Sequence, residues 1–191
     1  MIYPYPIILH EQGAHLKKGL VIIFTGDGKG KSSAALGVAL RALGHKMFVS
    51  LVQFIKSPSE AGEARAAERF APQLEFLSQG KGFVTGPQNR LPLSRHREAA
   101  EKALALARQR ALSGSWDLLI LDEINNAVHL GLLDVKDVLD LVRNKPPKLH
   151  MILTGRDAHP DLIAAADLVT EMRVVKHPYD AGVPAQKGID Y

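Results

Sequence analysis

The sequence predicts an α/β domain built on a mostly parallel sheet with helices on both faces. Apolar runs of strand length alternate along the chain with stretches of helical periodicity, which is the pattern of a parallel sheet with crossover helices. Runs such as residues 118–121 are apolar throughout, as expected of strands buried on both faces. Polar residues end several of these runs, at Thr25, Gln53, Asp122 and Thr154. Because parallel strands end at one edge of a sheet, we expect these residues to converge there.

Composition limits the classes of protein to which the chain can belong. Its 191 residues suit one domain, with 46% hydrophobic and 23% charged residues. We expect an N-terminal arm at residues 1–18, which contains paired prolines, and a single domain at 19–191. No apolar run is long enough to cross a bilayer, and the start lacks the pattern of a secretion signal. The absence of cysteine excludes disulfides and thiolate metal sites, and makes the cytoplasm the expected location.

The first half of the chain begins with a strand, a glycine-rich turn and a helix. Gly44 ends this helix, because glycine is favoured just past a helix C-terminus. Residues 80–92 contain three glycines and two prolines and predict a long irregular segment. The predicted elements of this half are the strands 20–24, 47–54 and 74–77 and the helices 34–41 and 60–70.

The second half opens with a long amphipathic helix. Ser94 is suited to cap its N-terminus, and alanine and leucine recur on one face up to Leu112. Pro146 and Pro147 halt the helix that follows the next strand. The predicted elements of this half are the helices 94–112, 135–142 and 160–166 and the strands 116–121, 149–154 and 168–172.

The glycine-rich turn between the first strand and the first helix predicts phosphate binding. Its glycines allow successive backbone N–H groups to point inward, and the helix N-terminus adds positive potential. Lys31 supplies a charge for phosphate oxygens, and Ser32 a hydroxyl for Mg²⁺. Thr25 occupies the position where the usual motif has its first glycine. A simple strand-to-helix link is the alternative, but strand, loop and helix all agree with a binding loop. The predicted loop comprises Thr25, Gly26, Asp27, Gly28, Lys29, Gly30, Lys31, Ser32 and Ser33.

Two other strand ends carry residues suited to nucleotide chemistry. Asp122 and Glu123 follow a buried strand, where a carboxylate can hold Mg²⁺ opposite Ser32. Residue type and spacing leave open which of the two carboxylates contacts the ion, and an acidic helix cap is the alternative. Arg156 follows the next strand and could bind phosphate oxygens or brace its own loop.

These segments together resemble the P-loop class of ATP:corrinoid adenosyltransferases. The similarity extends from about Gly19 to the end of the chain. The tail is its most particular part, because ordinary phosphate-loop enzymes do not share it. The segments that carry the resemblance are T-G-D-G-K-G-K-S at 25–32, V-Q-F-I-K at 52–56, L-D-E at 121–123, T-G-R at 154–156 and the tail at 175–191.

The resemblance implies a RecA-like P-loop NTPase fold and a homodimer. It implies transfer of the 5′-deoxyadenosyl group of ATP to the cobalt of a reduced corrinoid, either cobalamin or a precursor, with release of triphosphate. Mg²⁺ is the implied cofactor and a flavoprotein the implied reductant, with no nucleic-acid or membrane partner. In this family the triphosphate lies in the loop in the direction opposite to that in kinases, so that the reaction occurs at C5′ and not at the γ-phosphorus. Lys31 then stabilises the departing triphosphate.

Phe83 matches a position where the family uses an aromatic side chain to displace the lower axial ligand of the corrinoid. Without the resemblance, core packing explains a phenylalanine equally well. The family's second aromatic position is Thr85 here. Either Phe83 acts with another apolar neighbour, or the preferred corrinoid has a lower ligand that needs no displacement. The arm at 1–18 resembles the family's variable lid over the partner subunit's site.

Two other functions share the predicted fold. A net charge of +4 suggests a RecA-like ATPase or nucleic-acid module, but the basic residues are interleaved with acidic ones. Only 6% of residues are aromatic, which disfavours a surface for stacking bases. A small-molecule kinase would need an acceptor site and a lid arginine cluster, and the sequence indicates neither.

Overall fold

A six-stranded sheet organises the computed structural model, which describes residues 18–57, 62–86, 89 and 91–190. The strand order is β3-β2-β4-β5-β1-β6, and every pairing is parallel, as predicted. The strands are β1 Val21–Thr25, β2 Val49–Gln53, β3 Leu74–Ser78, β4 Leu118–Asp122, β5 His150–Thr154 and β6 Leu168–Glu171.

The helices match the predicted set with three differences. The first helix begins at Lys31, within the predicted loop, because Gly30 reverses the chain at φ 117° immediately before it. The third helix begins at Leu93, after Pro92, and so Ser94 is not its cap. A short helix directly after β4 was not predicted. The helices are α1 Lys31–Gly44, α2 Gly62–Ala67, α3 Leu93–Leu112, α4 Ile124–His129, α5 Val135–Arg143 and α6 Pro160–Ala165, with 3₁₀ turns at Glu68–Phe70 and Pro178–Ala181.

Helices cover both faces of the sheet, as the apolar strands predict. Successive strand side chains point to opposite faces, so β4 contributes to two separate cores. Leu118 and Ile120 pack with the alanines of α1 and Ala67 of α2. Leu119 and Leu121 pack in the other core, with apolar side chains of α3, α4, α5 and α6.

The last strand departs from the prediction that the strands are buried. All four residues of β6 are exposed, and Leu168 and Val169 keep 44% and 39% of their surface. β6 is an edge strand that pairs with β1, and the described helices make little contact with it, so its side chains stay open to solvent on both faces. An apolar sequence therefore identifies the strand but not its place in the sheet.

The parallel register brings the polar strand ends to one edge. Gln53 lies opposite Asp122 in the pairing of β2 with β4, and Phe24 lies opposite Thr154 in the pairing of β1 with β5. Of the predicted arm, only Lys18 belongs to the described residues, where it pairs with Asp167 at 2.7 Å. Within the described ranges, no helix has the length and apolar character needed to span a membrane.

Candidate nucleotide site

The glycine-rich loop lies against the chain that follows β6. Gly26 and Gly30 have φ angles of 90° and 117°, which side chains disfavour. The N–H of Gly28 donates to the Met172 carbonyl oxygen at 2.7 Å, and a Cβ on Gly28 would lie 2.7 Å from the same carbonyl group. Glycine at 28 is therefore required by a close approach of two backbones.

The side chain of Lys31 folds back onto the backbone of this loop. Its ammonium group donates to the carbonyl oxygens of Gly26 at 2.6 Å and Gly28 at 2.8 Å. Burial, reinforced by the nearby Arg156 charge, lowers the pKa of Lys31 below its ordinary value. The ammonium thus lies at the N-terminus of α1, where backbone N–H groups already favour an anion.

The other predicted loop residues have distinct positions. Thr25 is the last residue of β1, and its hydroxyl accepts from the N–H of Ala158 at 3.2 Å. Asp27 and Ser33 are exposed. Lys29 forms an ion pair with Asp190 in the tail. The tail, the part of the resemblance most particular to the family, therefore contacts the phosphate loop directly.

Arg156 lies beside the loop, and among the described residues its side chain has no ion pair shorter than 4.0 Å. Its Nε atom is 4.0 Å from Asp27 Oδ1, and both side chains are more than half exposed. Its backbone N–H donates to Asn126 Oδ1 at 3.1 Å, which fixes the turn after β5 to α4. The guanidinium is therefore close to the loop and accessible to an anion there.

Asp122 is the centre of a buried hydrogen-bond network. The hydroxyl groups of Ser32 and Thr154 both donate to Asp122 Oδ1 at 2.7 Å. Gln53 Nε2 donates to the other carboxylate oxygen at 3.0 Å. Lys56 Nζ lies 4.0 Å from the same oxygen. The predicted convergence of the ends of β2, β4 and β5 with the loop is thus confirmed.

Glu123 is adjacent in sequence but differs in environment. It has a left-handed backbone at φ 65°, and its N–H donates to Thr154 Oγ1 at 2.9 Å. Its carboxylate accepts from the N–H of Lys56 at 3.2 Å. Burial and the neighbouring Asp122 charge raise the pKa of Glu123 to about 7. The Glu123 carboxyl group therefore loses its proton less readily than an ordinary glutamate.

The donor set at Asp122 fits Mg²⁺. The ion prefers oxygen ligands and is usually bound by one or two carboxylates together with phosphate oxygens. The Ser32 hydroxyl donates its hydrogen bond to Asp122, which leaves the oxygen lone pairs of Ser32 for a cation. Glu123 is a weaker candidate because its raised pKa opposes the charged form.

Phe83 belongs to the irregular segment after β3, and this segment is attached to the same sheet edge. The N–H of Gln79 donates to the Gln53 carbonyl at 3.1 Å, and that of Gly82 to the Ile55 carbonyl at 2.8 Å. Phe83 is 66% exposed, whereas the next residue, Val84, is buried. The core-packing alternative for Phe83 is therefore wrong.

Sequence reasoning missed several residues that organise the site. Lys56 contacts both acidic residues, through its N–H and its ammonium group. Asn125 and Asn126 of α4 approach the turn after β5, where a Cβ on Gly155 would lie 2.4 Å from Asn126 Oδ1. The pair of asparagines three and four residues after the end of β4 was the available signal, because asparagine favours helix starts and turns.

Comparison with known proteins identifies the chain's relatives. Residues 17–191 match the family model described as ATP:corrinoid adenosyltransferase BtuR/CobO/CobP. The corrinoid adenosyltransferase of Pseudomonas aeruginosa is 41% identical over 175 residues, covering 92% of this chain and 85% of the relative. That of Escherichia coli K12 is 39% identical over 175 residues, covering 92% and 87%. Corrinoid adenosyltransferase CobA of Salmonella typhimurium is 40% identical over 183 residues, covering 93% and 88%.

Solved structures support the fold independently. The flagellar accessory protein FlaH of Methanocaldococcus jannaschii superposes with a TM-score of 0.51 at 15% identity, covering 83% of this chain and 73% of that one. The KaiC-like protein PH0186 of Pyrococcus horikoshii gives 0.52 at 13%, covering 84% and 75%. Both likenesses support the RecA-like α/β fold. With the family match over nearly the whole chain, they lead to one conclusion: this chain belongs to the ATP:corrinoid adenosyltransferase family, enzymes of cobalamin metabolism.

Proposed function

We propose that this protein transfers the 5′-deoxyadenosyl group of ATP to the cobalt of a reduced corrinoid and releases inorganic triphosphate. The observation that carries the proposal is the family match at residues 17–191, which spans both the glycine loop and the tail. Those two segments meet at the ion pair of Lys29 with Asp190.

ATP is proposed to bind with its triphosphate at the loop. The N–H groups at the start of α1 and the ammonium of Lys31 face this region, and Arg156 lies at its border. Phosphate oxygens would replace the Gly26 and Gly28 carbonyls as acceptors for Lys31. The loop residues 25–33 thus form the nucleotide site in this proposal.

Ser32 and Asp122 are proposed to hold Mg²⁺ beside the triphosphate, with Glu123 as a neighbour of the site. The bound ion would neutralise negative charge on the phosphate oxygens. Gln53 and Thr154 fix the Asp122 carboxylate by hydrogen bonds at 3.0 and 2.7 Å. This arrangement leaves the carboxylate little freedom to turn away from Ser32.

The proposed reaction is a nucleophilic displacement at C5′. The lone pair of cobalt(I) forms the new cobalt–carbon bond, the C5′–oxygen bond breaks, and the triphosphate leaves with that bond's electron pair. Cobalt is thereby oxidised formally to cobalt(III), while no proton needs to move. The protein must place C5′ in line with cobalt, exclude water and stabilise the departing charge. Lys31 and the loop amides suit the last task.

Phe83 is proposed to face the corrin ring. An exposed aromatic side chain on a segment anchored to the site's edge can contact a large flat substrate. With Thr85 at the second position, the substrate is either cobalamin handled by Phe83 and another apolar neighbour, or a precursor corrinoid. A homodimer, a flavoprotein reductant and a cytoplasmic location complete the proposal.

The nucleotide product tests the proposed reaction. The protein is incubated with ATP, Mg²⁺ and chemically reduced cobalamin, and the products are separated. We expect an alkylcobalt product with a light-sensitive spectrum, and one triphosphate for each molecule of that product. Formation of ADP and phosphate, with no alkylcobalt species, would instead indicate an ATPase. ADP with a phosphorylated acceptor would indicate a kinase.

A further inference from the structure

Phe83 lies between two backbone anchors. On its N-terminal side, Gly82 has φ 91° and donates its N–H to the carbonyl of Ile55, two residues after β2. On its C-terminal side, Val84 is buried in the core shared with α3. Phe83, which is 66% exposed, thus lies between two anchored neighbours.

The second anchor depends on Asn89. Its Nδ2 atom donates to the Val84 carbonyl oxygen at 2.6 Å, and its Oδ1 atom accepts from the N–H of Leu91 at 3.0 Å. One amide group therefore links the backbones of Val84 and Leu91. The orientation of this amide is determined, because a carbonyl oxygen can only accept and a backbone N–H can only donate.

His96 connects this amide to a rigid element. It lies in the first turn of the 20-residue helix α3 and is only 3% exposed. Its Nε2 atom lies 3.0 Å from Asn89 Oδ1. Since that oxygen only accepts, Nε2 must carry the hydrogen and donate it. The chain of contacts thus runs from α3 through His96 and Asn89 to the residue after Phe83.

We propose that Asn89 and His96 are positioning residues that hold Phe83 toward the corrinoid. This inference rests on the proposed function. Neither residue is suggested by the phosphate-loop chemistry, and neither contacts the loop or the acidic pair among the described residues. Their effect should therefore fall on the corrinoid and not on ATP, because Phe83 and the triphosphate site are held by different contacts.

The experiment compares Asn89→Ala and His96→Ala with two matched variants. His96→Gln keeps a donor for Asn89 Oδ1 and tests for rescue. Asn144→Ala removes another asparagine whose Nδ2 donates to a backbone carbonyl, that of Asp140 in α5, away from the site. For each protein, the KM for cob(II)alamin in the presence of excess reductant and the KM for ATP are measured, together with amide hydrogen exchange of the segment 79–86.

For Asn89→Ala and His96→Ala we expect faster exchange in segment 79–86 and a corrinoid KM raised about five- to tenfold, with the ATP KM unchanged, as for loss of one positioning hydrogen bond. His96→Gln and Asn144→Ala should match the wild type. Unchanged exchange in Asn89→Ala, or faster exchange with an unchanged corrinoid KM, would overturn the proposal. Equal increases in both KM values would also overturn it, since they indicate general destabilisation.

The readouts separate this inference from the proposed function. If the wild-type protein forms no alkylcobalt product, the proposed function fails and the positioning role falls with it, although hydrogen exchange still shows whether Asn89 orders the segment. If the wild type is active and the variants keep its corrinoid KM, only the positioning role is wrong.

Discussion

At the scale of single residues, the candidate site contains two kinds of side chain, charged groups at the loop and an exposed aromatic ring. Lys31 and Asp122 are inward-facing charged groups whose surroundings are supplied by backbone carbonyls and polar side chains. Phe83 is an apolar group held in solvent. Fixed charges in a polar, water-poor site can stabilise the charge of a bound phosphate. An exposed aromatic ring can instead bury apolar surface by stacking on a flat substrate. The two parts therefore suit different portions of one reaction.

Replacing Lys31 with alanine should raise the ATP requirement and slow turnover. The variant loses the ammonium group that donates to the Gly26 and Gly28 carbonyls, and with it the stabilisation of the departing triphosphate. We expect kcat/KM for ATP to fall by about a hundredfold, a typical loss for one charged stabilising group. Steady-state kinetics with saturating cob(I)alamin measures this. A kcat/KM for ATP equal to that of the wild type would exclude the role.

Replacing Phe83 with alanine should mainly slow the reaction that starts from cobalt(II). Displacement of the lower ligand makes cobalt(II) easier to reduce, and an exposed ring lost from position 83 leaves the triphosphate site intact. The rates from chemically prepared cobalt(I) and from cobalt(II) plus reductant are compared for both proteins. Equal fractional losses in the two assays would contradict this assignment.

At the scale of elements, the phosphate loop depends on a strand end that is remote in sequence. Gly28 approaches the chain after β6 so closely that a Cβ would lie 2.7 Å from the Met172 carbonyl carbon and oxygen. The same contact contributes the hydrogen bond from Gly28 to Met172. The chain that follows β6 thus has a role in the proposed scheme, because Met172 supports the loop.

Gly28→Ala and Gly37→Ala should have opposite effects although both remove a glycine near the loop. The first forces the loop away from Met172, and we expect weaker ATP binding and a loss of about 2 kcal/mol in unfolding free energy. The second lies in α1, where the added Cβ would meet no described atom within 4 Å beyond its own helical turn, so helix propensity should stabilise the variant by about 1 kcal/mol.

Denaturant unfolding and nucleotide titration of the two variants test this pair. The Gly37 variant serves as the control, because it keeps the loop's contacts. Wild-type ATP affinity in the Gly28 variant would show that the close approach to Met172 is not needed.

At the scale of the whole molecule, the candidate site imposes a pH dependence on stability. The folded-state pKa of Glu123 is raised from 4.5 to about 7. Between these values the folded protein binds more protons than the unfolded chain, and so stability decreases as pH rises through this window. Above about 7 the contribution of Glu123 no longer changes.

Glu123→Gln should remove this dependence. An amide oxygen can still accept from the N–H of Lys56, but it does not ionise. Relative to the wild type, the variant should therefore become more stable as pH rises from 5 to 8. Unfolding free energies without Mg²⁺ or nucleotide at several pH values measure the difference. A constant difference over this range would show that Glu123 titrates normally in the folded protein.

The sequence by itself determined the parallel sheet, the phosphate loop, the acidic strand end and the family. These follow from local patterns: apolar runs, glycine at required turns, and a resemblance spanning the loop and tail. It could not place β6 at an exposed edge, since an apolar run has the same composition at a sheet's centre and edge. It also left Asp122 and Glu123 equivalent, although folding buries them beside different partners.

Only the tertiary structure decided which distant side chains meet. Ser32 and Asp122 are 90 positions apart, and their hydrogen bond exists because parallel strands all end at one edge. The sequence also did not predict the contacts from His96 through Asn89 to the residue beside Phe83. The pattern of a helix can indicate that a histidine is buried, but it does not identify the histidine's hydrogen-bond partner. Local patterns fix backbone conformation, whereas side-chain partnership depends on how the elements pack.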